Sequence, residues 1–116
     1  MNFKGFLQVY VEVSDYEQAF EIATKLLETL KPFVKIKKID LEPYWKIKEY
    51  YGISFSLESE TLQQEHLRLT ELLGNQWSVL EVSERSNRVI WYVGKDQKFT
   101  DSRVRWANFA YWQEAR

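Results

Sequence analysis

His66 is the chain's single histidine and cysteine is absent, so disulfides, thiolate zinc sites, iron–sulfur clusters and cysteine nucleophiles lack their atoms. A multi-histidine metal site lacks them too. His66 follows Leu62 by one helical turn and precedes Leu69 by another. That places it on an apolar helical stripe, where an imidazole is ordinarily a packed boundary residue and only exceptionally a catalyst. Glu65 projects from a different part of the same helix. No serine stands in a nucleophile elbow, and neither a phosphate-binding glycine loop nor a dinucleotide fingerprint occurs. Carboxylates are abundant, yet their spacing selects no pair for general acid and base work and no metal clamp. Glu49 is the leading lone acid, because it falls on the apolar face of an alternating segment where burial would raise its pKa. Its ordinary alternative is an exposed strand end or an ion pair with lysine. The expectation is a protein with no catalytic, cofactor-binding or metal-binding residue, and therefore no enzyme.

The elements that would position such residues follow from hydrophobic period. Residues 3–13 alternate, with Leu7, Val9, Val11 and Val13 on one face against Lys4, Phe6, Gln8, Tyr10 and Glu12, the pattern of a half-buried strand. Ser14 and Glu17 form a capping box ahead of a helix over residues 15–30, whose stripe is Ala19, Ala23, Leu26, Leu27 and Leu30. Pro32 ends it. Residues 33–42 read as a lysine-rich edge strand whose apolar phase slips between Ile36 and Ile39, which predicts a bulge near Lys37 and Lys38. A long third strand is expected over residues 45–57. Thr61 and Gln64 suggest a second capping box for a helix over 62–73, with Gly74 as its left-handed terminator. Residues 77–84 and 88–93 form a hairpin through Arg85, Ser86 and Asn87. After a polar loop, VRWANFAYW has no decisive period and is expected to be a short helix starting after Asp101 or Ser102.

This order predicts an α+β fold, specifically a ferredoxin-like split β-α-β sandwich. It is β-α-β-β-α-β plus an extra C-terminal strand and an aromatic tail, with sheet order 5-4-1-3-2 and both helices on one face. A differently connected α+β roll is the alternative. The 116 residues fit one domain, 1–116. No apolar run approaches the ~20 residues that cross a bilayer, and the interrupted start MNFKGFLQVYVEV resembles no signal peptide. A cytoplasmic protein without a membrane partner is expected, as a monomer or weak homodimer.

The net charge of −1 conceals sorting along the chain. Lys31, Lys35, Lys37, Lys38, Lys46 and Lys48 face only Asp40 and Glu42, while Glu58, Glu60, Glu65, Glu71, Glu81 and Glu84 face Arg68. These are either solvated faces or a dipolar surface that orients a partner. Five tryptophans, seven tyrosines and seven phenylalanines exceed the ordinary needs of such a core, and the surplus suggests a contact surface. Phe6, Tyr10 and Tyr50, with Lys4, Lys46 and Lys48, lie opposite the predicted helices. That placement resembles an RNA recognition motif. KEYYGISFSL, however, lacks that family's basic-glycine-aromatic-glycine opening, so nucleic acid is an unfavoured alternative. A cofactor-free small-molecule enzyme of the α+β barrel kind is another.

The segments EPYWKIKEYYGISFSL and WSVLEVSERSNRVIWY resemble the small α+β immunity proteins of bacterial contact-dependent inhibition and polymorphic toxin systems. The resemblance covers most of the chain by length and style. It implies that the chain binds a cognate toxin domain, such as a nuclease, in the producer's cytoplasm and blocks its active site or an essential surface. Such a protein has no chemistry of its own. No residue role transfers by motif, so the interface is placed by residue type: hot spots favour tryptophan, tyrosine and arginine. Those residues concentrate in Arg85, Arg88, Trp91, Tyr92, Arg103, Arg105, Trp106, Tyr111 and Trp112. The expected partner-binding set is Glu81, Glu84, Arg85, Arg88, Tyr92 and Arg103, on the hairpin and the loop before the tail. A purely acidic surface drawn from the glutamates of the second half is the competing choice.

Overall fold

The computed structural model describes residues 2–83 and 85–113. Its elements are β1 (Phe3–Glu12), α1 (Tyr16–Leu30), β2 (Lys35–Pro43), β3 (Tyr50–Ser59), α2 (Leu62–Leu73), β4 (Ser78–Val82), β5 (Ser86–Tyr92) and β6 (Val104–Gln113). They form an α+β fold with one six-stranded sheet, ordered β2-β3-β1-β6-β5-β4, and every neighbouring pair is antiparallel. The helices touch each other and cover one face, α1 over β2 and β3, α2 over β1 and β6.

The alternation of β1 becomes its burial: Leu7, Val9 and Val11 are sealed under the helices, while Lys4, Phe6, Gln8, Tyr10 and Glu12 point the other way. Helix α1 closes the core with Ala19, Ile22, Ala23, Leu26 and Leu30. Its cap lies one residue later than expected. Asp15, not Ser14, accepts the Gln18 N–H at 2.9 Å, and Gln18 Oε1 accepts the Ser14 N–H at 3.0 Å. The bulge in β2 lies between Ile36 and Lys38, as the phase slip requires, and β2 is an edge strand.

Four other expectations are corrected. Residues 45–49 are not strand but a turn, closed by Tyr44 N–H to Tyr50 O at 2.8 Å and Tyr50 N–H to Ile47 O at 3.3 Å. Glu49 takes φ 69° there and is exposed, so it is no buried acid. Thr61 precedes α2 without a side-chain capping bond; its own N–H donates instead to Ser59 Oγ. Gly74 is extended, at φ −167°, and bridges to Phe99, so its smallness rather than left-handedness is used: a Cβ would meet the Phe99 ring at 2.9 Å.

The largest correction concerns the tail and the sheet order. Residues 104–113 are not helix but the strand β6, inserted between β1 and β5. The β4–β5 hairpin forms, but Ser86 and Asn87, expected in its connection, are paired residues of β5, and β6 displaces it outward, so the expected order 5-4-1-3-2 holds only for its 1-3-2 portion. An irregularity between Tyr10 and Val11 sets Val104 against Val11 and Trp106 against Tyr10, leaving Arg105 as the extra residue. Val104 and Ala107 therefore share the buried face three residues apart, a helix-like spacing made by a bulge.

Gly5 records how tightly α2 seats on this sheet. A Cβ there would stand 2.7 Å from the Ala110 carbonyl oxygen and 2.9 Å from Leu62 Cδ2, and the backbone atom cannot yield cheaply. Gly5→Ala is expected to destabilise the fold by about 2 kcal/mol. Denaturant midpoints check this, and an unchanged midpoint would show that the strand and helix are less closely apposed.

Candidate functional site

The sheet face opposite the helices carries two groups of rings. Period two along β1, β5 and β6 projects Phe6 and Tyr10, Arg88 and Tyr92, and Trp106 and Trp112 to this side; Tyr10, Trp106 and Tyr92 are in register, and Phe6 and Arg88 flank Ala110. At one end Tyr10 stacks on Trp106 at 4.6 Å between ring centres and 16° between planes. Tyr92 extends the row beyond Trp106 at 6.1 Å and 5°. On the other side Tyr44, from the β2–β3 turn, leans on Tyr10 at 4.6 Å and 51°. Trp45 follows Tyr44 at 6.5 Å and is 83% exposed. The second group sets Phe6 against Trp112 at 6.1 Å, with the Arg88 guanidinium 5.6 Å from the Phe6 ring centre.

The turn roofs a cleft of about 380 Å³ between itself and the sheet. Gly52 leaves room on its floor, since a Cβ there would lie 3.3 Å from Tyr10 Cε1. Gln8 and Ser54 supply amide and hydroxyl groups, linked at 3.4 Å, and Asp40 and Glu42 bring carboxylates from β2. Burial, and next the neighbouring Tyr44, raise the Tyr10 pKa above that of an ordinary phenol, so it remains a neutral hydroxyl. Two shielded polar atoms on this face, Trp106 Nε1 and Asn108 Oδ1, have no hydrogen-bond partner among the described residues.

The structure brings together part of the expected partner-binding set. Arg88 and Tyr92 lie on the ring-bearing face, and Glu81 stands opposite Arg88 in the β4–β5 register. Arg85 is exposed in the connecting turn, and Glu84 lies outside the described residues. Arg103 is elsewhere. It bonds Asp101 at 2.8 and 2.9 Å and Glu21 of α1 at 3.1 Å. The Asp101 side chain is nearly sealed and also receives Lys25 at 3.2 Å. Its hydrogen bond with Arg103 holds the carboxyl well below the usual carboxylate range, against the opposing push of burial. Arg103 therefore joins the loop before β6 to α1. Trp91 and Tyr111 are core residues, and Glu65 and Glu71 sit on α2, across the sheet from the rings.

His66 is buried edge-on to Phe109 and Tyr111, at 4.4 and 4.8 Å. Desolvation lowers its pKa to about 4, only partly offset by a bond to the Phe109 backbone. Among the described residues no group of three or more potential ligands could hold a metal ion. Nor is any helix among them long and apolar enough to cross a membrane.

Tyr44, Trp45, Asp40 and Glu42 are the site residues that sequence reasoning missed, because it placed Trp45 inside a strand. Pro43 between two alternating segments was the available signal, since proline interrupts a ladder and favours a turn. No protein-family model matches the chain, and no curated protein or solved structure matches it either.

Proposed function

We propose that this chain acts by binding rather than by chemistry, as an immunity protein that engages a cognate bacterial toxin domain in the cytoplasm and blocks its active site or an essential surface. The observation that carries the reading is the row of rings from Trp45 through Tyr44, Tyr10 and Trp106 to Tyr92 on the sheet face opposite α1 and α2. Aromatic side chains on a rigid sheet lose little entropy on contact, and with arginine they supply the anchors of tight protein interfaces. Arg88 over Phe6, with Glu81 opposite, adds charges of both signs beside the rings. Such charges speed encounter, while the buried anchors lengthen the life of the complex. The working unit is a monomer or weak homodimer, and the ferredoxin-like arrangement is its scaffold, with β6 in the place beside β1. A base-stacking role is less well supported: of the β1 rings, Tyr10 is 9% exposed and already covered by Tyr44 and Trp106, and Phe6 is partnered by Trp112 and Arg88.

Coexpression with the toxin encoded beside it is expected to restore growth, and the two chains are expected to copurify with a nanomolar or tighter constant. Absence of both would remove the reading. Charge reversal at Glu81, Glu84, Arg85 and Arg88, one at a time, is expected to weaken toxin binding at least tenfold, about 1.4 kcal/mol, for at least one of the four. Folding should be unchanged. Normal binding by all four, with loss on changing Lys35, Lys37 or Lys46, would move the interface to the basic segments.

A further inference from the structure

We infer that the cleft beneath the β2–β3 turn is a receptor for an organic cation, the guanidinium or ammonium end of a side chain that a protein partner inserts. The protein origin of that cation rests on the binding reading above, whereas its charge follows from the cleft alone. Two rings turned at different angles, Tyr44 and Trp45, supply π faces on one side, with Tyr10 packed behind Tyr44 as its support. Cations are attracted to such faces, most strongly to tryptophan. Asp40 and Glu42 supply negative charge on the other. They share a face because β2 alternates, Asp40 opposite Ser54 and Glu42 opposite Gly52. Gly52 keeps the floor open, and Gln8 and Ser54 offer oxygens to N–H donors.

The chain's own cations already use these surfaces. The Lys46 ammonium lies 5.1 Å from the Trp45 ring centre, and Lys38, which lines the cleft, approaches Asp40 at 3.7 Å. Lys38 is therefore an internal competitor for the place an incoming cation would take. Glu42 has no ion pair among the described residues, and its exposed carboxylate is free to meet an incoming charge. A guanidinium fits the combination of flat rings and carboxylates most closely, because it stacks and donates in its own plane at once.

The test titrates the isolated protein, without toxin, with N-acetyl-arginine amide, N-acetyl-lysine amide and the neutral arginine isostere N-acetyl-citrulline amide. Amide and indole resonances follow the binding. The cationic probes are expected to shift Gly52, Ser54 and the Trp45 indole, with the arginine probe binding about tenfold or more tightly than citrulline. Trp45→Ala and Glu42→Gln, both at exposed positions, should each weaken the arginine probe severalfold, within the range of cation–π and charge contributions. Lys38→Gln should tighten it, a response that a merely structural lysine would not give. Equal shifts from citrulline, no shifts from either cation, or weaker binding by the Lys38→Gln protein would overturn the assignment. Because no toxin is present, such a failure is separate from the outcome of the growth-rescue experiment.

Discussion

Phe109→Ala is expected to remove about 4 kcal/mol of folding stability, a large part of the 5–15 kcal/mol typical of a whole domain. Phe109 is fully buried on β6, edge-on to His66 at 4.4 Å and near Trp77 at 6.5 Å. Truncation leaves a cavity between sheet and α2 that neither can close freely, since Leu62 sits so near Gly5 that even a Cβ there would stand 2.9 Å from it. Trp112, on the same strand but the opposite face, is 40% exposed, and its replacement by alanine should cost only about 1 kcal/mol. Denaturant unfolding of the two variants measures the contrast. Should the alanine variant fail to fold, Phe109→Leu provides a milder truncation for the same comparison. Equal costs at positions 109 and 112 would contradict the placement of β6 as an internal strand.

Acidification is expected to unfold the protein through two successive windows. His66 is held neutral, with its pKa lowered to about 4 from an unfolded value near 6.5. As pH falls through that interval the unfolded chain takes up the proton first, so stability declines toward pH 4 by about 3 kcal/mol in all. Below that the folded imidazole is protonated too and this contribution levels off. Asp101 then takes over. Its folded pKa is depressed, so its contribution is present above the unfolded carboxylate value and is lost as pH falls further. His66→Leu should flatten the profile between pH 6.5 and 4 and leave the lower limb. Asp101→Asn should remove the lower limb and cost about 2 kcal/mol at neutral pH, because Lys25 and Arg103 lose the shared negative charge and one of its two acceptor oxygens but remain partly hydrated. Unfolding midpoints measured across pH give both answers; a wild-type profile that is flat from pH 7 to 4.5 would refute the His66 assignment.

Much of this architecture is legible in residue order, and the reason is one-sided burial. In β1 and α1 one face meets the core and the other meets a polar environment or the ring-bearing surface, so the apolar period reports the geometry directly. The β2 bulge is legible for the same reason, as a phase slip between Ile36 and Ile39 that only an extra residue repairs. The existence of the β4–β5 hairpin and the bounds of α2 follow from strand alternation and helical spacing, although the caps and turn residues expected there are not the ones used. His66 too was placed on its stripe by spacing alone.

Tertiary structure decided what one-sided burial could not encode. In β6, Phe109 and Tyr111 enter the core while Trp106 and Trp112 build the opposite face, so both sides carry large apolar groups and no period survives. The bulge at Arg105 even imitates a helical interval. The cleft is equally nonlocal, since Asp40, Tyr10, Gly52 and Trp45 meet only because β3 lies between β2 and β1 and the 44–49 turn folds back over them. So is the Lys25–Asp101–Arg103–Glu21 group, which joins a loop to a helix distant in sequence. Local order could nominate rings and charges, but which of them became core and which became surface was decided by long-range strand pairing, whose partners leave no mark in the local period.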